Sequence, residues 1–150
     1  MKLSIRKAVR SDCKAVWTWR NDPVTRANSR NTAKIPWRKH VSWFAETFER
    51  GNPQIFIVTA GRVRAGLVSL RMNGKRAEVS VNIAPSFRGK GVGSKAIALA
   101  CKIAAKLGLV SLEAFVKKTN AASQKAFEKN DFVKNSCKKG LCKYCRRLVS

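Results

Sequence analysis

The sequence predicts an α/β fold in which a mixed β-sheet of about seven strands packs against about four helices. Short segments of alternating apolar and polar residues are interspersed with segments whose apolar residues recur every three or four positions. Helices that return between the later strands imply parallel as well as antiparallel pairing. A length of 150 residues, a hydrophobic fraction of 45% and the lack of a repeat or linker favour one domain over residues 1–150.

The first half of the chain is predicted to form a strand, two helices and two strands joined by a hairpin turn. Alternation predicts the strands, and a capping residue before an apolar stripe predicts each helix start. The predicted ranges are a strand over Leu3–Val9, a helix capped at Ser11–Asp12 and ending near Asn21–Pro23, a helix over Trp37–Arg50, and strands over Gln54–Thr59 and Ala65–Met72 with the turn at Ala60–Arg62.

The second half is predicted to alternate strands and helices before a terminal pair of strands. Its longest helix carries alanine and isoleucine on one face and lysines on the other, and Gly108 ends it. The predicted ranges are strands over Glu78–Ala84 and Leu109–Val116, helices over Ser94–Leu107 and Asn120–Asn130, and final strands over Phe132–Val133 and Cys142–Val149.

A glycine-rich loop over Arg88–Gly93, with the sequence RGKGVG, lies between a predicted strand and the longest predicted helix. Alternating glycines let the backbone turn tightly with its N–H groups pointing outward, and the helix that follows adds the positive end of its dipole. This arrangement suits a pyrophosphate. The spacing is neither that of a Walker loop nor that of a dinucleotide fingerprint, so the loop predicts a different phosphate-bearing cofactor.

The pattern Arg-x-x-Gly-x-Gly between a strand and a helix resembles motif A of the GCN5-related N-acetyltransferases, the GNAT family. Residues 77–85 resemble the fourth strand of that family, and residues 120–132 resemble its motif B. The resemblance implies the GNAT fold and acetyl-CoA as cofactor, with the amide of Ile83 or Ala84 facing the thioester carbonyl. The cofactor-binding residues that it implies are Val81, Asn82, Ile83, Ala84, Arg88, Gly89, Lys90, Gly91, Val92, Gly93, Ser94, Asn120, Ser123 and Phe127.

Acetyl transfer to an amine needs a neutral amine, a polarised carbonyl and a stabilised leaving thiolate. The resemblance implies Glu78 as the catalytic base, although a carboxylate paired with Arg71 or Arg76 is an equally open interpretation. Phe127 occupies the position at which many relatives have a tyrosine, and the only tyrosine, Tyr144, is in the terminal hairpin. Three alternatives follow: water protonates the thiolate, the thiolate leaves unassisted, or the chain lacks efficient catalysis.

The region from Trp17 to Phe48 resembles the GNAT subgroup that acetylates the 4-amino group of nucleotide-linked sugars, the pseudaminic-acid pathway type. It is less similar to the enzymes that acetylate ribosomal protein N-termini. Arginines here could bind a nucleotide pyrophosphate, and aromatic rings could stack on a base or sugar. Core packing is the alternative for the tryptophans, and a helix-surface or capping role is the alternative for the histidine. The implied substrate-binding residues are Trp19, Arg20, Asn21, Arg26, Arg30 and His40.

Thirty-two lysines and arginines against eight acidic residues give a net charge of +24, spread along the whole chain. Such a field attracts anions, whether a cofactor, a nucleotide-linked substrate or nucleic acid. The charge alone does not choose between these anions. The resemblance leads us to expect an acetyltransferase acting on a primary amine of a small molecule, and the charge makes an anionic amine such as a nucleotide-linked amino sugar a candidate. Acetylation of protein N-termini and a nucleic-acid-associated protein without efficient catalysis are the alternatives, and nucleic acid is the less favoured partner.

No apolar run reaches the roughly 18 to 20 residues that span a bilayer, so we expect a cytoplasmic protein without a membrane partner. We also expect a monomer or a homodimer. Cys13 and Cys101 fall in apolar helical contexts and need no function. Cys137, Cys142 and Cys145 have half the ligand spacing of a zinc site, but a fourth ligand is missing nearby. Free thiols are the favoured interpretation, and no metal site is predicted.

Overall fold

The computed structural model describes residues 2–148, which form a seven-stranded mixed sheet in the order β1-β2-β3-β4-β5-β7-β6. Helices cover both faces of the sheet. The strands are β1 Leu3–Lys7, β2 Gln54–Ala60, β3 Val63–Asn73, β4 Arg76–Ile83, β5 Ser111–Lys117, β6 Val133–Lys138 and β7 Leu141–Arg147, and the α-helices are α1 Cys13–Asn21, α2 Pro23–Ala27, α3 Trp37–Arg50, α4 Val92–Lys106 and α5 Ala121–Lys129. The predicted mixed α/β fold is confirmed.

One junction in the sheet differs from all the others. β4 and β5 run parallel and pair only at Arg76 with Ser111, Ala77 with Leu112 and Glu78 with Glu113. The other neighbouring strands are antiparallel, and β4 pairs with β3 over eight positions. The C-terminal parts of β4 and β5 therefore diverge and leave an opening in the sheet.

The pleat of the sheet divides the core into two layers. Val68, Val79 and Leu112 point to the face covered by α4 and α5, where Ile97 of α4 packs against them. Leu67, the residue before Val68 in β3, points to the opposite face, which α1 and α3 cover. Each fully buried aliphatic side chain stabilises such a layer by about 1.5 to 3 kcal/mol.

The structure contains a helix that the sequence analysis did not predict. In α2 the Asp22 side chain accepts hydrogen bonds from the backbone N–H groups of Val24 and Thr25, and Pro23 occupies the first helical position. Aspartate followed by proline is a strong helix start, so the signal was present in the sequence. With five residues, α2 is too short to show a periodic apolar stripe.

Most predicted strand boundaries differ from the observed ones by one or two residues, and two further differences have a clear physical reason. Helix α4 begins at Val92, two residues earlier than predicted, because Gly91 adopts a left-handed conformation and ends the loop there. Strand β6 is longer than the predicted Phe132–Val133 because all six of its residues are exposed at the sheet edge, where no burial imposes alternation. The prediction for the last strand extended to Val149, which lies outside the described residues.

The prediction of free thiols in the terminal hairpin is wrong for two of its three cysteines. Cys137 and Cys142 form a disulfide, because the pairing of β6 with β7 sets these two residues directly opposite each other. Cys13, Cys101 and Cys145 carry free thiols. Within residues 2–148 no group of three or more histidine, cysteine or acidic side chains is arranged to hold a metal ion.

The buried Asp12 carboxylate ties the first strand to the hairpin of β2 and β3. It accepts hydrogen bonds from Arg6, from Arg64 and from the backbone N–H of Val9 at 2.8 to 3.0 Å. Burial alone would raise the pKa of Asp12, but these hydrogen bonds outweigh it and lower the pKa from 3.8 to about 2. The charged form is therefore the form that stabilises the fold.

We predict that Asp12→Asn lowers the free energy of unfolding by about 2 kcal/mol at pH 7, from the size of that pKa shift. Because the folded pKa is lowered, this stabilisation is present above pH 4 and is lost as the pH falls from about 4 to about 2. Urea unfolding at several pH values measures both quantities. Asp131→Asn, at an exposed position, is the matched control, and a pH-independent loss in Asp12→Asn would contradict the prediction.

Candidate active site

The glycine loop has the geometry of an anion site. Gly89 and Gly91 have φ angles of 73° and 75°, a left-handed conformation that favours glycine. Gly91 is the N-cap of α4 and offers no side chain as a cap. Among residues 2–148 no acceptor bonds the N–H groups of Val92, Gly93 and Ser94. These donors and the positive end of a fifteen-residue helix can hold phosphate oxygens.

The two basic residues of the loop differ in their contacts. The Arg88 guanidinium donates to the Asp22 carboxylate at 2.8 Å and lies 3.0 Å from the Thr25 hydroxyl, so its side chain anchors α2. Lys90 is exposed, with its ammonium 5.9 Å from the Phe87 ring centroid. Lys90 is therefore the loop side chain with freedom to meet a phosphate.

Strand β4 presents backbone groups to the opening on alternate residues. The Ala84 N–H donates to the Ala65 carbonyl on the β3 side, and the Val110 N–H donates to the Lys75 carbonyl on the β5 side. Since hydrogen-bonding direction alternates along a strand, the backbone groups of Val81 and Ile83 face β5, where no strand pairs with them. Of the two amides considered for the thioester carbonyl, that of Ile83 faces the opening, whereas that of Ala84 is used within the sheet.

Helix α2 and the residues that follow it lie across the opening, on the face opposite α4. The Thr25 hydroxyl donates to the Asn82 side chain at 3.0 Å. The Lys117 ammonium donates to the Ala27 carbonyl at 2.9 Å. These contacts join the α2 segment to β4 and to β5, so this segment lies over the opening between the diverging strands.

Glu78 lies on this α2 side, where β4 and β5 begin to separate. Its carboxylate is 3.1 Å from the Arg30 guanidinium, and its side chain is 26% exposed. Its partner is thus Arg30, not Arg71 or Arg76 as the alternative interpretation held. The Arg30 guanidinium also stacks over the Phe115 ring, 4.6 Å from its centroid.

The phenylalanine that replaces the family's tyrosine, Phe127, and the only tyrosine of the chain, Tyr144, are both buried. Phe127 packs against Phe132 and Tyr144 in the core, although the resemblance had implied a role in cofactor binding. The Tyr144 hydroxyl lies 3.1 Å from acceptors on both Gln124 and Glu128. Burial, followed by the hydrogen bond and charge of Glu128, raises the pKa of Tyr144 to about 12. Phe127 has no proton to donate, and the Tyr144 hydroxyl is buried against its two partners, so neither side chain is placed to protonate a thiolate.

Two residues of motif B form the start of α5. The Asn120 side chain accepts a hydrogen bond from the Ser123 N–H and caps the helix. Among the described residues no acceptor bonds the Asn120 side-chain NH₂, which leaves that group free for the pantetheine arm. The predicted contact of Asn120 and Ser123 with the cofactor stays a prediction.

His40 lies in the interior, which excludes the helix-surface role that was the alternative to substrate binding. It is fully buried, with Nδ1 3.0 Å from the Arg20 guanidinium and Nε2 2.8 Å from the Cys13 carbonyl. Burial lowers the pKa of His40, the carbonyl opposes this, and the charge of Arg20 adds to it. The neutral ring therefore accepts a hydrogen bond from Arg20 and donates one to the Cys13 carbonyl, so it positions the Arg20 guanidinium. Its predicted contact with substrate stays a prediction.

The other residues predicted to bind substrate divide into structural and available groups. Trp19 is buried in the layer between α1 and the sheet, and Asn21 makes two hydrogen bonds with the backbone of Ile35. Arg26 differs, because its Nε is buried and bonds no acceptor among residues 2–148. Such buried donors are usually satisfied by ordered water, an ion or a ligand, so the predicted contact of Arg26 with substrate stays a prediction. Across residues 2–148, every helix is too short or too polar to span a bilayer.

Comparison with known proteins agrees with this geometry. Residues 2–133 match the family model of the acetyltransferase (GNAT) domain. YwnH of Bacillus subtilis (strain 168), named as a candidate phosphinothricin acetyltransferase, is 32% identical over 136 residues, which are 87% of this chain and 83% of YwnH.

Two solved structures have the same fold. One, described as a candidate phosphinothricin N-acetyltransferase, has a TM-score of 0.83 and 28% identity over 99% of this chain and 100% of that one. The other, spermidine N-acetyltransferase from Vibrio cholerae with CoA and spermine, has a TM-score of 0.87 and 19% identity over 97% and 95% of the two chains. This chain belongs to the GNAT family and is an acetyl-CoA-dependent N-acetyltransferase.

Proposed function

We propose that this enzyme acetylates the primary amine of a small molecule held between α2 and the diverging strands, with Glu78 as the base. The observation that carries the proposal is the separation of β4 from β5 beyond Glu78. It leaves the Ile83 amide free at one edge of the opening, and Glu78 at the start of that opening on the α2 side. A donor and an acceptor could thus approach each other through the sheet.

On the donor side, the glycine loop would hold the pyrophosphate of acetyl-CoA and β4 would pair with its pantetheine arm. The unpaired N–H groups of Val92, Gly93 and Ser94 fit such a group, and the exposed Lys90 adds a mobile charge. The cofactor supplies an acetyl group activated as a thioester. The Ile83 N–H is suited to hydrogen-bond the carbonyl oxygen as negative charge develops on it.

On the acceptor side, Glu78 would take one proton from the ammonium form of the amine, so that the neutral nitrogen can attack. The nitrogen would lose a second proton to solvent as the N–C bond forms and the C–S bond breaks. The Glu78 carboxylate is held by Arg30, so Arg30 must move away or share the carboxylate when the amine arrives. The thiolate leaves with the electron pair of the C–S bond. Because Phe127 has no hydroxyl and Tyr144 is buried, water protonates the thiolate or it departs unprotonated.

The nature of the acceptor is the finer part of the proposal. The relatives named above are associated with phosphinothricin, an amino acid with a phosphinate and a carboxylate, and with the cationic spermidine. A net charge of +24 opposes the approach of a polyamine and favours an anionic amine. A nucleotide-linked amino sugar, the acceptor that the resemblance of the Trp17 to Phe48 region implied, is an anionic amine of this kind.

We predict that anionic small amines are acetylated with the highest kcat/KM. Release of free CoA is measured with a nucleotide-linked amino sugar, phosphinothricin, spermidine and a ribosomal-protein N-terminal peptide as acceptors. We expect one of the first two to exceed spermidine and the peptide by at least about tenfold. Preference for the peptide would instead support the N-terminal acetyltransferase alternative.

We predict that Gly91→Glu weakens CoA binding by roughly 100-fold. The added carboxylate would repel the phosphates at the glycine loop, and the left-handed φ of Gly91 is strained for glutamate. Isothermal titration with CoA measures the affinity. The matched control is Gly74→Glu, at a turn with φ 62° and open space for a side chain. It introduces the same charge and backbone strain elsewhere, so retained affinity in Gly91→Glu would refute the loop assignment.

We predict that Glu78→Gln lowers kcat by about 100-fold or more while the CoA affinity stays unchanged, as expected for loss of a general base. The deficit should shrink as the pH approaches the pKa of the acceptor amine, where deprotonation needs no base. Glu113→Gln is the matched control, since Glu113 lies opposite Glu78 in the sheet and pairs with Lys143. Equal losses in both variants would show that Glu78 has no special role.

A further inference from the structure

We infer that a basic pocket beside the opening binds an anionic group of the acceptor, such as a phosphate or a carboxylate. The pocket has a volume of about 560 Å³ and includes four cationic side chains and no acidic one among its lining residues, all of which lie in the described part of the chain. This inference rests on the proposed function and names the substrate class for the same site. The four cations are Arg30, Lys117, Lys138 and Lys139.

The pocket is assembled from segments that are far apart in sequence. Arg30 follows α2, Lys117 ends β5, Lys138 ends β6, and Lys139 lies in the turn between β6 and β7. Lys117 is held in place by its hydrogen bond to the Ala27 carbonyl. Since like charges repel, four cationic side chains that line one pocket favour an anion between them, although Arg30 also pairs with Glu78 beside the pocket.

Arg30 connects the pocket to the base. The same guanidinium that lines the pocket lies 3.1 Å from the Glu78 carboxylate and stacks over Phe115. An acceptor anion in the pocket would compete with Glu78 for this guanidinium. Binding of the anionic group would thereby free the Glu78 carboxylate to accept the amine proton. The anion and the base would then be separated by about the length of the Arg30 side chain, so the amine of the same molecule could reach Glu78.

The turn at the edge of the pocket has a residue that turn geometry does not favour. Lys139 has a φ of 51°, and Gly140 follows with 78°, so both central residues of this two-residue turn are left-handed. Asparagine followed by glycine is the usual pair in such a turn, and a lysine there costs about 1 kcal/mol. A lysine charge facing the pocket accounts for a residue that the local backbone disfavours.

The size of the pocket agrees with a ligand larger than a single ion. Small-molecule sites commonly have volumes of about 300 to 1,000 Å³. The pocket could therefore receive a phosphorylated or carboxylated portion of the acceptor, with the amine directed along Arg30 towards Glu78. A concave site of this kind suits a small anion better than the extended backbone of a nucleic acid, which needs a groove.

The test titrates inorganic pyrophosphate into enzyme saturated with CoA, so that the glycine loop is already filled. We expect the wild type to bind pyrophosphate and Lys138→Gln/Lys139→Asn to bind it about tenfold or more weakly, since each lost charged hydrogen bond has an effect of that order. Asparagine suits the left-handed position, so this variant should fold at least as stably as the wild type. A thermal melt checks that expectation.

The matched control is Lys102→Gln/Lys106→Gln, which removes two exposed charges from α4 and lowers the net charge equally. It should change pyrophosphate affinity by less than twofold. Absence of pyrophosphate binding, or equal weakening in the two double variants, would overturn the inference, because the second result would mean that only the overall field matters. Failure of the proposed function is read separately, as absence of CoA release with every amine, and does not depend on this titration.

Discussion

The separation of β4 from β5 after three residue pairs is the constraint on which the site depends. Backbone N–H and C=O groups in a sheet normally bond to a neighbouring strand, and leaving them unpaired is costly. Here the backbone groups of Val81 and Ile83 face a gap instead. The gap persists because β3 holds β4 on one side along its whole length, while β7 holds β5 over seven positions on the other. An extended ligand could supply the missing pairing.

The pleat of β4 separates two kinds of chemistry along one strand. Odd-numbered side chains such as Val79 enter the layer beneath α4, whereas even-numbered ones such as Glu78 and Asn82 point towards α2. Backbone groups at the strand edge and a carboxylate on its α2 side are thereby brought together without a loop. The position of α2 over the opening is held because Asp22, its capping residue, is also the ion-pair partner of Arg88 from the glycine loop.

The few carboxylates of this cationic chain have distinct positions. Asp12 is buried beneath two arginines, Asp22 joins α2 to the loop, and Glu78 lies beside the opening. With 32 basic residues against eight acidic ones, most cations have no acidic partner to neutralise them. Their common field would concentrate a phosphate-bearing cofactor and an anionic acceptor near the surface, an effect that salt screens.

Local sequence determined the glycine loop, the α/β order of elements and the GNAT fold, because left-handed glycines, helix caps and apolar periodicity each depend on only a few neighbouring residues. The capping signal at Asp22–Pro23 could have revealed α2 as well. Only the tertiary structure decided that Glu78 pairs with Arg30, that His40 is buried beside Arg20, and that lysines of the last hairpin join Arg30. These contacts connect residues 20 to more than 100 positions apart, and no local pattern encodes which distant side chains the folded sheet brings together.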